Sequence, residues 1–119
     1  MLRRLTIAML LFISATFPQS SETSSGPWCV VDPQIPDQVV QAAVDWACQQ
    51  DGTNCNQIQP GQPCFVPNTI KDHASVVFNT YFQHYKHQGG SCDFHSAAVI
   101  THTDPSHGSC QFEYVPDSK

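Results

Sequence analysis

Between Pro36 and Asp51 the apolar positions Val40, Ala43, Val44, Ala47 and Cys48 recur at i, i+3, i+4, i+7 and i+8, one stripe of an α-helix. Pro36 suits the first turn, Asp37 favours the positive helix end, and Asp51-Gly52 supplies the stop. A second helix is expected in "NTIKDHASVVFNTYFQHYKHQGG", where Thr69 followed by Asp72 resembles a capping box and Gly89-Gly90 ends the run. Its stripe is Ile70, Ala74, Val77, Phe78, Tyr81 and Tyr85, with His73, Val76, Thr80, Gln83, His84 and His87 mostly elsewhere on the cylinder. The stretch between, "CNQIQPGQPCFVPN", has three prolines and little periodicity, so it reads as a structured loop plugged by Ile58 and Phe65. After Cys92 the period changes to two: "AAVITHT" fits a strand, "DPSHG" a turn, and "SCQFEY" a returning partner strand. The pattern predicts a small α+β fold, two helices packed with a small antiparallel β-sheet drawn as that hairpin.

The first twenty residues change the picture of where the chain works. Arg3 and Arg4 precede an apolar run from Leu5 to Phe17 that Pro18-Gln19-Ser20 ends early. That is the layout of a cleaved secretory signal over residues 1–20, and it is shorter than the roughly 20 apolar residues of a membrane span. Residues 21–27, "SETSSGP", read as a flexible leader, 28–115 as one folded domain and 116–119 as a tail. The end, "CQFEYVPDSK", is polar and lacks the hydrophobic tail of a GPI signal. The expectation is a secreted, extracellular protein.

A domain of this size buries a modest core and needs covalent help. Cys29, Cys48, Cys55, Cys64, Cys92 and Cys110 are six in number, an even count that outside the cell implies three disulfides, with fifteen pairings open on sequence alone. No Cys-x-x-Cys occurs, so thiolate zinc is the weaker reading. Removing Arg3 and Arg4 leaves three lysines against ten acids, a formal charge of −7. Such a surface repels phosphate backbones and anionic lipid, so neither nucleic acid nor membrane is an expected partner, and a neutral ligand fits best.

Metal and catalytic chemistry find little support in the pattern. His84 and His87 stand three apart on a helix, but two imidazoles need a third ligand, and His73, His95, His102 and His107 fall on other elements. No metal and no cofactor is expected. Asp45, Asp72, Asp93, Asp104 and Glu113 supply carboxyls, yet glycoside hydrolysis needs two of them facing each other across a cleft, which so small a domain does not enclose. No nucleophile constellation appears either. The domain is not expected to be an enzyme, and no residue is assigned as catalytic.

"WCV" at Trp28, "AAVDWAC" ending at Cys48, "CNQIQPGQPCFVPNTI" from Cys55, "HASVVFNTYFQ" from His73 and "CDF…DPSHGSCQF" from Cys92 follow one another in order. Together they resemble the plant carbohydrate-binding module family forty-three, or X8 domain, found in callose-binding proteins, small pollen proteins and the C-terminal part of plant β-1,3-glucanases. The resemblance spans the whole folded domain. It implies two helices with a small antiparallel sheet, and the pairing Cys29–Cys92, Cys48–Cys55 and Cys64–Cys110. The two long bridges would each contribute on the order of 3–4 kcal/mol by restricting the unfolded chain, and the short one less. The chain departs from the family at Val76-Val77, where Tyr-Ala is usual, at Phe82 in place of a tyrosine, and at His95 in place of a glycine.

The resemblance further implies non-catalytic binding of β-1,3-glucan, callose-like, in the cell wall or apoplast; a monomer is expected. A glucan presents C–H faces to rings and hydroxyl edges to amides and carboxylates. Tyr81, Phe82 and Tyr85 are the candidate rings, Asn79 and Gln83 the candidate amides, with Trp28 and Trp46 assigned to the core. Asp93 is expected to cap a turn or to accept sugar hydroxyls. The rival reading is a secreted, disulfide-stapled protein-interaction module that has lost glucan affinity through Val76, Val77 and Phe82; an exposed apolar patch on the second helix would favour it.

Overall fold

In the computed structural model the described residues are 26–117. The expected signal peptide, most of the leader and the last two residues of the tail lie outside them. In chain order the regular elements are strand β1 (Trp28–Val31), helix α1 (Asp37–Cys48), a 3-10 turn (Cys55–Ile58), helix α2 (Ile70–Tyr85), a second 3-10 turn (Lys86–Gln88) and strand β2 (Ala98–Thr101).

Both helices form where the periodicity puts them. Pro36 carries the cap of α1, its carbonyl accepting the amides of Val39 and Val40 at 3.0 and 3.1 Å. Val40, Val44 and Ala47 are buried, and Ala43 and Cys48 pack beside them. The capping box of α2 is present: Thr69 Oγ1 accepts the Asp72 amide at 3.0 Å, and the Asp72 carboxylate accepts the Thr69 hydroxyl. Past Tyr85 the chain tightens, and Gly89 turns at φ 94°, a left-handed conformation open to glycine at little cost, as the Gly90 amide closes on the Tyr85 carbonyl at 2.9 Å.

Helix α2 is buried on more than the expected stripe. Ala74, Val77 and Phe78 join α1 in one core cluster, together with Cys29, Ala97 and Ala98. Val76 belongs to a second cluster with Trp28, Cys64, Cys110 and Phe112, against which Tyr114 packs. Asn79, Thr80, Phe82 and Gln83 are buried as well. The helix is the centre of the domain, packed against α1 and, through Asn79 and Gln83, bonded to Pro27, Glu113 and Val115 near the two ends of the described residues.

The sheet is antiparallel and has two strands among the described residues, but its partner is not the one the local pattern suggested. β2 pairs with β1, in the register Trp28↔Thr101, Cys29↔Ile100, Val30↔Val99 and Val31↔Ala98. The expected hairpin between "AAVITHT" and "SCQFEY" does not form, and that second segment contributes an isolated bridge, His107↔Cys110. Two constraints explain the difference. The Cys64–Cys110 bridge and the burial of Phe112 draw the segment to the Trp28 cluster. The Cys29–Cys92 bridge meanwhile brings β1 beside the chain that leads into β2.

The three disulfides are Cys29–Cys92, Cys48–Cys55 and Cys64–Cys110, as the resemblance implied. With sequence separations of 63, 7 and 46 residues, loop-closure entropy assigns them about 4, 2 and 4 kcal/mol. Of the two expected plugs of the central loop, Ile58 packs against both core clusters, whereas Phe65 belongs to neither and lies half-buried, tilted beside the His73 ring at 5.6 Å, with His73 Nε2 donating to the Phe65 carbonyl at 2.7 Å.

Candidate functional site

The open side of the domain is a groove of about 720 Å³ between α1, α2 and the segment 91–95. Helix α1 contributes Gln38, Ala42 and Trp46 at successive turns, with Val39 and Ala43 in the adjoining row. Trp46 is 48% exposed and Val39 39%, large apolar surface left uncovered in a domain short of core. Trp46 was assigned to the interior on sequence; the structure corrects this, while Trp28, at 1% exposure, is interior as expected. The signal for Trp46 was present in the chain. Val39, Ala42, Ala43 and Trp46 flank the buried stripe, so the apolar band of α1 is wider than one core-facing arc needs.

Tyr81 faces Trp46 from α2, ring centroids 5.3 Å apart and tilted by 60°. Phe94 closes the corner, edge-on to Trp46 at 6.3 Å and to Tyr81 at 5.4 Å, while its own face stacks on buried Phe78 at 4.2 Å. The rings thus form a continuous series from the core out to solvent. Tyr85 lies behind Tyr81 at 4.7 Å, and its hydroxyl donates to the Asp51 carbonyl instead of facing the groove.

The polar part of the lining comes from Ser91, Asp93 and His95, alternate residues of the segment that follows the second helix and carries Phe94. All three are exposed. The Asp93 carbonyl accepts the Ala98 amide at 3.4 Å, and its carboxylate, which lines the groove, has no partner among the described residues. Phe94, His95 and Ser96 have φ of 52°, 56° and 69°, a left-handed run that costs non-glycine residues roughly 1–2 kcal/mol each. Neither Lys71 nor Lys86 lines the groove. Lys71 pairs with Asp37 at 3.3 Å, and the side chain of Lys86 is held inside, donating to the Val115 carbonyl at 2.6 Å.

Of the five residues singled out on sequence, the structure brings Tyr81 to the groove and leaves Tyr85 beside it. Asn79, Phe82 and Gln83 lie in the interior, at 0%, 9% and 2% exposure, so their side chains are not offered to a ligand. The reason is helical geometry: at 3.6 residues per turn, positions two away from Tyr81 point about 160° from it. The two amides are fully engaged there. Asn79 Oδ1 accepts the Cys29 amide at 3.1 Å and Gln83 Nε2 at 3.0 Å, while Asn79 Nδ2 donates to the Glu113 carbonyl at 2.8 Å. Gln83 Nε2 also donates to the Pro27 carbonyl at 3.0 Å, and Gln83 Oε1 accepts the Val115 amide at 2.9 Å. Together they stitch both ends of the domain to α2.

The histidine pair separates into unrelated surroundings: His84 sits over Gly52 and edge-on to Tyr85, whereas His87 Nε2 approaches Asp117 at 3.6 Å. Among the described residues no three His, Cys, Asp or Glu side chains gather as a metal site would require. The candidate carboxyls are likewise dispersed. Asp45 accepts from Gln41, Asp72 caps α2 and Asp104 caps a turn at Ser106, so Asp93 alone of the five lines the groove.

These features define a small, three-disulfide α+β module with an open groove lined by aromatic rings and exposed polar side chains. The X8 domain model matches residues 27–99, and the chain belongs to that family. It is 46% identical over 106 residues to Glucan endo-1,3-beta-glucosidase 1 of Arabidopsis thaliana, covering 89% of this chain and 20% of that protein. It is 41% identical to Glucan endo-1,3-beta-D-glucosidase of Olea europaea, over 80% of this chain and 20% of that protein. The chain therefore spans about a fifth of the length of these glucosidases. Major pollen allergen Ole e 10 of Olea europaea is 36% identical over 83% of this chain and 80% of its own length.

Proposed function

We propose that this chain binds β-1,3-glucan in the groove and does not cleave it. The observation that carries the reading is the pairing of exposed Trp46 with half-buried Tyr81 in a groove whose lining also includes Ser91, Asp93 and His95, side chains with no hydrogen-bond partner among the described residues. Rings of this kind stack on the C–H faces of a sugar, and hydroxyls, carboxylate and imidazole pair with its edges. A groove without cations suits a neutral polymer better than a phosphate or sulfate. The linkage is taken from the names of the glucosidases to which the chain is similar. One carboxyl in the groove falls short of the pair that hydrolysis uses, and the chain corresponds to a minor part of those enzymes. Three disulfides suit an oxidising compartment, and no helix among the described residues is long and apolar enough to cross a membrane. The protein is accordingly read as secreted, acting as a monomer in the wall or apoplast.

The departures at Val76, Val77 and Phe82 bear on the protein-interaction alternative. All three are buried, at 5%, 1% and 9% exposure, so they alter the core and leave no apolar patch on α2 in place of lost tyrosines. The test is sedimentation with insoluble β-1,3-glucan, with cellulose as control. Wild type should pellet with the former alone, and Trp46→Ala and Tyr81→Ala should each lose about tenfold or more in affinity, as expected for a buried aromatic anchor. Undiminished binding by both variants overturns the assignment to this groove.

A further inference from the structure

We propose that His95 is a specificity-determining residue of the groove, its imidazole hydrogen-bonding the hydroxyl edge of a sugar stacked on Trp46 and Tyr81. The inference rests on the glucan reading of that groove and adds a residue whose place the fold itself does not explain. Phe94, His95 and Ser96 form one left-handed turn, with φ of 52°, 56° and 69°. Such a run persists where its surroundings over-determine it, and the surroundings here are visible. Before the turn, Cys92 is bonded to Cys29 of β1. Within it, Phe94 stacks on Phe78 at 4.2 Å, and the Ala97 amide closes on the Phe94 carbonyl at 3.0 Å. After it, Ala97 is fully buried and its carbonyl accepts the Asp32 amide at 2.8 Å.

Each of these anchors gives Phe94 or Ala97 a packing reason for the geometry. None gives His95 one. Its side chain is exposed, lines the groove, and has no hydrogen-bond partner among the described residues. A glycine would adopt the same φ without strain, so the side chain opposes the stability of the turn and makes no hydrogen bond or ring contact among the described residues in return. A neutral imidazole carries one donor and one acceptor, the complement of a hydroxyl that is both. With Asp93 two residues away in the same lining, it would read hydroxyls on the sugar edge while Trp46 and Tyr81 take the ring face.

Titration calorimetry with a soluble β-1,3-gluco-oligosaccharide, beside thermal unfolding, tests this on the oxidised domain. His95→Gly should unfold at a temperature equal to or above wild type, yet bind about three- to tenfold more weakly, the loss of one hydrogen bond. His95→Ala, which keeps a stiff backbone, should lose affinity by a similar factor. Wild-type affinity in His95→Gly overturns the proposal and leaves the groove reading standing. Weakened binding in His95→Gly but not in His95→Ala overturns it too, because stiffness and not the imidazole would then matter. Absence of oligosaccharide binding by wild type overturns both this inference and the reading beneath it.

Discussion

Replacing Asn79 by alanine separates an amide that holds the fold from one that holds a sugar. The Asn79 side chain is wholly buried and serves three partners: the Cys29 amide, Gln83 Nε2 and the Glu113 carbonyl. Cys29 is itself 0% exposed, so its orphaned N–H would have no access to water and should cost about 1–3 kcal/mol. Glu113 is exposed, so its carbonyl can rehydrate, and that loss is closer to the ordinary net value of about 0.5–1.5 kcal/mol. Gln83 keeps its bond to Pro27 and loses little. The sum is roughly 2–4 kcal/mol, which at about 4–8 °C per kcal/mol for a domain of this length lowers Tm by on the order of 10–30 °C. Urea unfolding followed by tryptophan fluorescence gives the free energy. Glucan sedimentation at a temperature where the variant stays folded gives the affinity, which should match wild type. A variant that loses less than about 0.5 kcal/mol yet no longer binds glucan would refute the reasoning, since the amide would then be working at the surface.

Replacing Cys29 and Cys92 by serine should lower stability by about 4 kcal/mol against about 2 kcal/mol for the Cys48/Cys55 pair, measured by urea unfolding; an equal loss from both would contradict the loop-closure account. The first pair should also weaken glucan binding while the domain is still folded, because Cys92 anchors the polar part of the lining to β1. Thr69→Ala removes the cap from α2 and should cost about 1 kcal/mol in the same measurement. No change in glucan affinity is expected from it, as Thr69 lies sixteen residues along α2 from its Tyr85 end and outside the groove.

Elements set by local chemistry were legible in the chain. The α1 stripe, the Thr69–Asp72 box and the Gly89-Gly90 stop are each decided within a few residues, and each forms as read. The partner of β2 was not legible locally. "WCVV" is four residues without alternation, and it becomes a strand because Cys29 is held to Cys92 and its amide to Asn79. The candidate site was half legible for a related reason. "FNTYFQHY" groups rings and amides in sequence, but a helix distributes adjacent residues around its axis, and only Tyr81 of that run lines the groove. The other ring of the facing pair, Trp46, belongs to the preceding helix, and the polar part of the lining to a segment after α2. Composition carries the right types of residue; the face they share depends on how α1 packs on α2.

The same packing explains why the groove stays open. Both ends of the domain are spent on the side of α2 that carries Asn79 and Gln83, where Pro27, Cys29, Glu113 and Val115 are bonded to the two amides. Among the described residues nothing from either end lines the groove on the Tyr81 side, and Trp46 and Val39 are exposed there although the domain has little apolar surface to spare. Rigidity reaches that side by another route. Phe94 stacks on Phe78 inside and meets Tyr81 and Trp46 outside, and the disulfide at Cys92 fixes the segment that carries it. An aromatic wall held in this way loses little conformational freedom when a ligand settles on it, which is how a shallow groove gains affinity without enclosing what it binds.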